Sequence, residues 1–138
     1  MAENARPRTD LPTIEEETQV YWDGAREGKL LLAQCTACGR THHYPRPICP
    51  FCWSDEIVQI QASGRATLYT FSTVFMNDLP PFGERLPYVA AMVDLEEGPR
   101  LATNMIECDP EDLEVGMKVE LVSQPLTDEI SAPFFRPA

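Results

Sequence analysis

Cys35-Thr36-Ala37-Cys38 and Cys49-Pro50-Phe51-Cys52 set two pairs of thiols at i, i+3 spacing, with ten residues between Cys38 and Cys49. One tight turn aims each pair at a single ion, and the two pairs together complete a tetrahedral S4 shell. Zinc is the expected ion. A single iron of rubredoxin type would accept the same four thiolates and is the alternative cofactor. Redox chemistry would want one low-pKa thiolate at a helix N-terminus beside a βαβ pattern, whereas these pairs sit in proline-rich hairpin sequence. Four cysteines close the shell and leave no open position, so the metal is expected to hold structure rather than do chemistry.

No other residues suggest catalysis. Both histidines, His42 and His43, lie between the two cysteine pairs, and neither a G-x-S-x-G elbow nor a P-loop is present. Cys108 has no basic neighbour in sequence and reads as an inert thiol. The 138 residues carry a net charge of −11, and residues 94–129 hold eleven acids against Arg100 and Lys118. Such a half repels a phosphate backbone. Residues 29–54 contain no acid but carry Lys29, Arg40 and Arg46, a local excess suited to the formal −2 of zinc with four thiolates. No apolar leader opens the sequence, and no stretch approaches the ~18 apolar residues of a membrane span. With cysteines read as metal ligands, the expected location is cytoplasmic, without membrane contact.

The elements that position these residues read as mainly β. A helix is expected to begin after Pro12, with Thr13 and Glu16 forming a capping box and Gly28 as its stop. It presents Tyr21 and Trp22, which either pack on the protein or offer a partner patch. Leu30–Gln34 reads as a strand leading into the first knuckle, which Gly39 closes. From Ala66 to Met76 the alternation predicts a long strand with Thr67, Tyr69, Phe71, Thr73 and Phe75 on one face, read as barrel core before ligand platform. Strands follow at Tyr88–Leu95, Arg100–Ile106, Met117–Ser123 and Ile130–Arg136, with a helical turn capped by Asp109-Pro110 before the third. Five strands with that insert fit an OB barrel, with a small sandwich as the alternative. The expected division is a flexible N-terminus over residues 1–12, a capped helix and zinc ribbon over 13–62, and an OB-fold domain over 63–138. The loop from Asn77 to Pro87 is too long for a hairpin turn, and its Phe82 is a candidate functional residue.

The order of these features resembles a known family. Gly24-Ala25-Arg26-Glu27-Gly28-Lys29-Leu30, Cys35-x-x-Cys38-Gly39, Pro45-Arg46-Pro47-x-Cys49-Pro50-x-Cys52 and Ser63-Gly64-Arg65-Ala66-Thr67-Leu68-Tyr69 run in the order of the zinc-ribbon plus OB-fold proteins of acyl-CoA metabolism, a family long labelled a domain of unknown function. Pro87-Tyr88-Val89, Asp109-Pro110-Glu111-Asp112-Leu113, Val115-Gly116-Met117 and Phe134-Phe135-Arg136-Pro137 continue the match. The resemblance implies a non-catalytic subunit that docks on a thiolase-like partner and helps form its acyl-CoA site. The partner would be of thiolase, hydroxymethylglutaryl-CoA synthase or steroid side-chain aldolase type, and the assembly a hetero-oligomer. The family's zinc ligands fall on Cys35, Cys38, Cys49 and Cys52. Arg40, Arg46 and Arg65 are the candidate cations for the CoA phosphates, and Tyr21, Trp22, Phe75 and Phe82 the candidate partner contacts. Zinc ribbons and OB folds also bind nucleic acid, which is the alternative class, but a pI near 4.5 opposes it.

Overall fold

A computed structural model of the chain describes residues 10–138. Two sheets follow a short helix, α1 (Gln19–Arg26). The first sheet is three-stranded, in the order β2 (Thr41–His42), β1 (Leu31–Cys35), β3 (Ile57–Gln61), all antiparallel. The second is a closed barrel of β4 (Arg65–Val74), β5 (Tyr88–Leu95), β6 (Arg100–Met105), β8 (Ser131–Pro137) and β7 (Lys118–Pro125), in that order around the wall. This is the five-stranded OB arrangement. A parallel contact, Met105 opposite Phe135, closes it, and the Ile106 amide donates to the Phe135 carbonyl at 2.8 Å.

Alternation builds the barrel. On β5, Val89, Ala91, Val93 and Leu95 point inward and are buried, and they meet Leu68, Leu101, Val119 and Phe135 from the other strands. Tyr21 and Leu32, from the helix and ribbon, belong to the same cluster, so both units share one core.

Three expectations are corrected. First, the aromatic face of β4 does not form the barrel core. Ala66 and Leu68 point inward, the register with β5 skips at Tyr69, and only then does Phe71 reach the core. This bulge swaps the inward phase, leaving Tyr69 45% exposed, and Phe75, beyond the end of the strand, 76% exposed. Second, the helical segment starts later than Thr13. A 3₁₀ turn at Glu16–Thr18 precedes α1, and the capping contact is the Glu15 amide donating to Thr18 Oγ1 at 2.9 Å. Gly28 stops the helix as expected, at φ 82° with its amide on the Ala25 carbonyl. Third, Ile57–Gln61 is an additional strand, paired along the whole of β1. The flexible N-terminus expected over residues 1–12 lies mostly outside the described residues.

Candidate metal centre

The two cysteine pairs fold into matching knuckles. In the first, the Gly39 amide bonds the Cys35 carbonyl at 2.8 Å and the Cys35 amide bonds the Arg40 carbonyl at 2.9 Å. In the second, Trp53 bonds Cys49 at 3.0 Å and Cys49 bonds Ser54 at 2.8 Å, at the same offsets. The residue after each pair is left-handed, Gly39 at φ 79° and Trp53 at φ 69°. That turn brings amides onto sulfur: Cys38 N lies 3.5 Å from Cys35 Sγ, and Phe51 N 3.4 Å from Cys49 Sγ.

All four sulfurs lie within 4.8 Å of one another. Cys35 and Cys52 Sγ are 3.5 Å apart, Cys38 and Cys49 Sγ 3.7 Å. A tetrahedron with ~2.3 Å zinc–sulfur bonds has edges of about 3.8 Å, close to the two shorter separations, so the set suits zinc with small closing shifts of the wider pairs. Electrostatics point the same way. The Cys38 amide holds the Cys35 thiol below its ordinary value. Cys49, despite its burial, is drawn down to about 7 by the Cys52 and Phe51 amides. Cys52 is pushed up to about 12: a hydrogen bond donated by the Ser54 amide opposes the rise, but burial and the neighbouring sulfurs outweigh it. Four close thiolates repel one another, and a divalent cation among them removes that penalty.

The histidines stand apart from this donor set. His42 is 5% exposed with no hydrogen-bond partner for either ring nitrogen, and His43 Nδ1 is likewise unpartnered. Burial, then the charge of Arg46, lowers the His42 pKa, while burial, then His42, brings His43 to about 4. Both are held neutral. His43 also joins a run of rings: Trp22 meets Tyr21 edge-on at 4.8 Å, Tyr21 lies 5.5 Å from His43, and His43 lies 4.0 Å from Tyr44.

The candidate cations occupy different settings. Arg65 is exposed and engages Glu96 Oε2 through both Nε and Nη2, at 3.1 and 2.9 Å. Arg46 lines a cleft of about 320 Å³ between helix and ribbon, beside Glu16, Glu17 and Asp55. Arg40 lies over the Phe51 ring, 4.8 Å from its centroid. Neither Arg40 nor Arg65 lines the cleft that holds Arg46.

Of the candidate partner contacts, Tyr21 is turned inward and only 6% exposed, because α1 lays that face on the shared core. Burial raises its phenol pKa far above the ordinary value. Trp22 packs partly buried against the same core. Phe75 is open to solvent, together with Met76 and Leu79 at the start of the long loop. Phe82 is half-buried, 6.3 Å from the Tyr88 ring. It lines a second cavity of about 400 Å³ with Met105, Phe134 and Cys108. Burial raises the Cys108 pKa, with Asp109 and Asp112 adding to the effect, so the thiol stays protonated. Sequence reasoning missed this cavity and the exposed Trp53. The equal offset of Gly39 and Trp53 from their cysteine pairs was the available signal for the latter.

No described helix is long and apolar enough to cross a membrane. Family models match in tandem: the rubredoxin-like zinc ribbon domain of ChsH2 over residues 22–58 and its C-terminal OB-fold domain over 59–124. The chain is 35% identical to a probable enoyl-CoA hydratase alpha subunit of Thermomonospora curvata, across 96% of its own length but only 40% of that protein's. A DUF35 domain-containing scaffold protein of Methanocaldococcus jannaschii is 34% identical, with 78% and 77% of the two chains covered. The benzoylsuccinyl-CoA thiolase subunit BbsA of Thauera aromatica is 32% identical over 60% of each. Among solved structures, a chain of the Ltp2-ChsH2(DUF35) aldolase superposes with a TM-score of 0.82 at 33% identity, covering 92% of this chain and 98% of that one. With the ribbon, the barrel and the four-sulfur cluster all matched in order, the chain belongs to the DUF35 family of ChsH2-type zinc-ribbon plus OB-fold proteins.

Proposed function

We propose that the chain is a non-catalytic subunit that binds a thiolase-like partner and helps form its acyl-CoA site, for carbon–carbon bond cleavage or formation on acyl-CoA thioesters. One observation carries the reading: the same ribbon-and-barrel unit aligns with a thiolase subunit, with a chain of an aldolase and with a scaffold protein. The hydratase alpha subunit extends well beyond the aligned unit, so its name bears on the substrate class, acyl-CoA, more than on the reaction. The donor set supports a non-catalytic role for the metal, since four cysteines leave zinc no open position.

In this reading the partner supplies the reacting groups. The chain supplies the exposed apolar start of the long loop, Phe75, Met76 and Leu79, for docking, and the cavity beneath Phe82 for part of the thioester. Four thiols in ligating positions favour a reducing compartment, the cytoplasm, in this reading. The test is co-expression with a thiolase-like protein encoded beside it. A stable complex should form, with acyl-CoA turnover at least about tenfold above the partner alone, and Phe82→Ala should lower that turnover with the complex intact. A chain that stays monomeric beside a partner indifferent to it would overturn the reading.

A further inference from the structure

The second knuckle carries a surface that the metal does not use. Trp53 is 83% exposed, and Ile48 and Phe51 are each 51% exposed, on the outside of the turn whose inside is the sulfur cluster. Backbone geometry does not call for an indole here. At φ 69° the position favours glycine, which occupies the equivalent place in the first knuckle, and Trp53 shows no ring contact that would offset the strain. Arg40 stacks above Phe51 at the same end. Among the described arginines, Arg26, Arg65, Arg85, Arg100 and Arg136 each reach a carboxylate within 3.2 Å. Arg40 and Arg46 reach none; Arg46 lines the cleft between helix and ribbon, whereas Arg40, at this end, leaves its planar fork of donors for an acceptor outside the chain.

We propose that Trp53, Phe51, Ile48 and Arg40 are a docking surface for the thiolase-like subunit, which seats the indole in an apolar pocket beside a carboxylate that takes Arg40. The proposal rests on the partner reading above and names a contact separate from the loop at Phe75. Tryptophan and arginine are the residue types that dominate binding when their site is desolvated, and the metal-held knuckle presents them already ordered. A single carboxylate next to an apolar pocket suits this end better than a nucleic acid does. Asp55 and Glu56 follow the tip directly and are exposed, and the chain carries a net charge of −11.

The test uses Trp53→Gly, which removes the indole at a φ that glycine accepts, and Arg40→Glu, each as the full zinc-loaded chain. Affinity for the co-expressed thiolase-like subunit is measured by titration calorimetry at two salt concentrations, with zinc content as the control for folding. Trp53→Gly should weaken binding by about thirtyfold or more with zinc retained. Arg40→Glu should also weaken it and flatten its salt dependence. Binding by Trp53→Gly within about threefold of the wild type would overturn the proposal. So would a wild-type self-association, or low-salt binding of an oligonucleotide, that Trp53→Gly abolishes while partner affinity is unchanged. If the wild-type chain forms no complex at all, the partner reading falls first and this surface with it.

Discussion

Two histidines follow one another in the ribbon; His42 finds no polar partner for either buried ring nitrogen, and His43 none for its buried Nδ1. Such groups are tolerable only while neutral. His43 is brought from an ordinary 6.5 to about 4 by burial, with His42 adding to the effect. Between those values the unfolded chain takes up a proton that the folded chain refuses, so stability is full above about pH 6.5 and falls as the pH drops toward 4. His43→Phe should remove this component and shift the acid-unfolding midpoint to lower pH. Fluorescence-monitored titrations of both proteins at the same zinc concentration check it, since protonation of the cysteine ligands affects both alike. At this scale the sulfur ligands were legible, because spacing alone brings i and i+3 thiols together. Trp53 carries no mark in its own neighbours, and only its offset from the second pair, equal to that of Gly39 from the first, singles it out.

The helix is short, eight residues, and stays in place through tertiary contacts more than through its own propensity. Tyr21 inserts into the shared core, and Ser123 Oγ donates to the Ala25 carbonyl at 2.6 Å. Gly24 lets α1 approach β1: an added Cβ would sit 2.9 Å from Leu31 Cδ1. Tyr21→Ala should therefore cost about 3–4 kcal/mol, read as a lower urea midpoint with zinc bound, whereas Tyr21→Phe should cost less than about 1.5 kcal/mol. The element ends show why legibility varies. Val89 to Leu95 alternate without interruption, and that strand was read with its true bounds. β4 also alternates, but a bulge adds a residue without any change in composition, so the inward phase switches at Tyr69 where periodicity predicts continuity. Thr13 and Thr18 lie on either side of the acidic run Glu15-Glu16-Glu17, and the capping contact went to the second.

Ribbon and barrel are joined through Ala62 to Arg65, and that crossing is tied down on several sides. The Ser63 amide reaches Glu97 Oε2 at 2.8 Å, the Glu96 amide reaches the Arg65 carbonyl at 3.0 Å, and the Leu121 amide reaches the Gly64 carbonyl at 2.8 Å. With Leu30, Leu32 and Tyr21 in the same cluster as Val93 and Phe135, the two sheets should unfold together. Stripping zinc with a chelator should thus reduce amide-exchange protection on β5 as well as on β1, checked by hydrogen-exchange mass spectrometry. Barrel protection unaltered by zinc removal would show two independent units. The barrel class was readable from five strands and a capped turn, but the shared core was not, because the contacts that build it run between residues some hundred positions apart.

The closing strand of the barrel, Ser131–Pro137, follows the other four barrel strands in sequence, while all four sulfurs lie between Cys35 and Cys52. A nascent chain therefore exposes a complete ion-binding ribbon well before its barrel can shut. Zinc capture can thus precede closure of the barrel, and the order in which the chain emerges favours a ligated ribbon as the surface on which the barrel strands assemble.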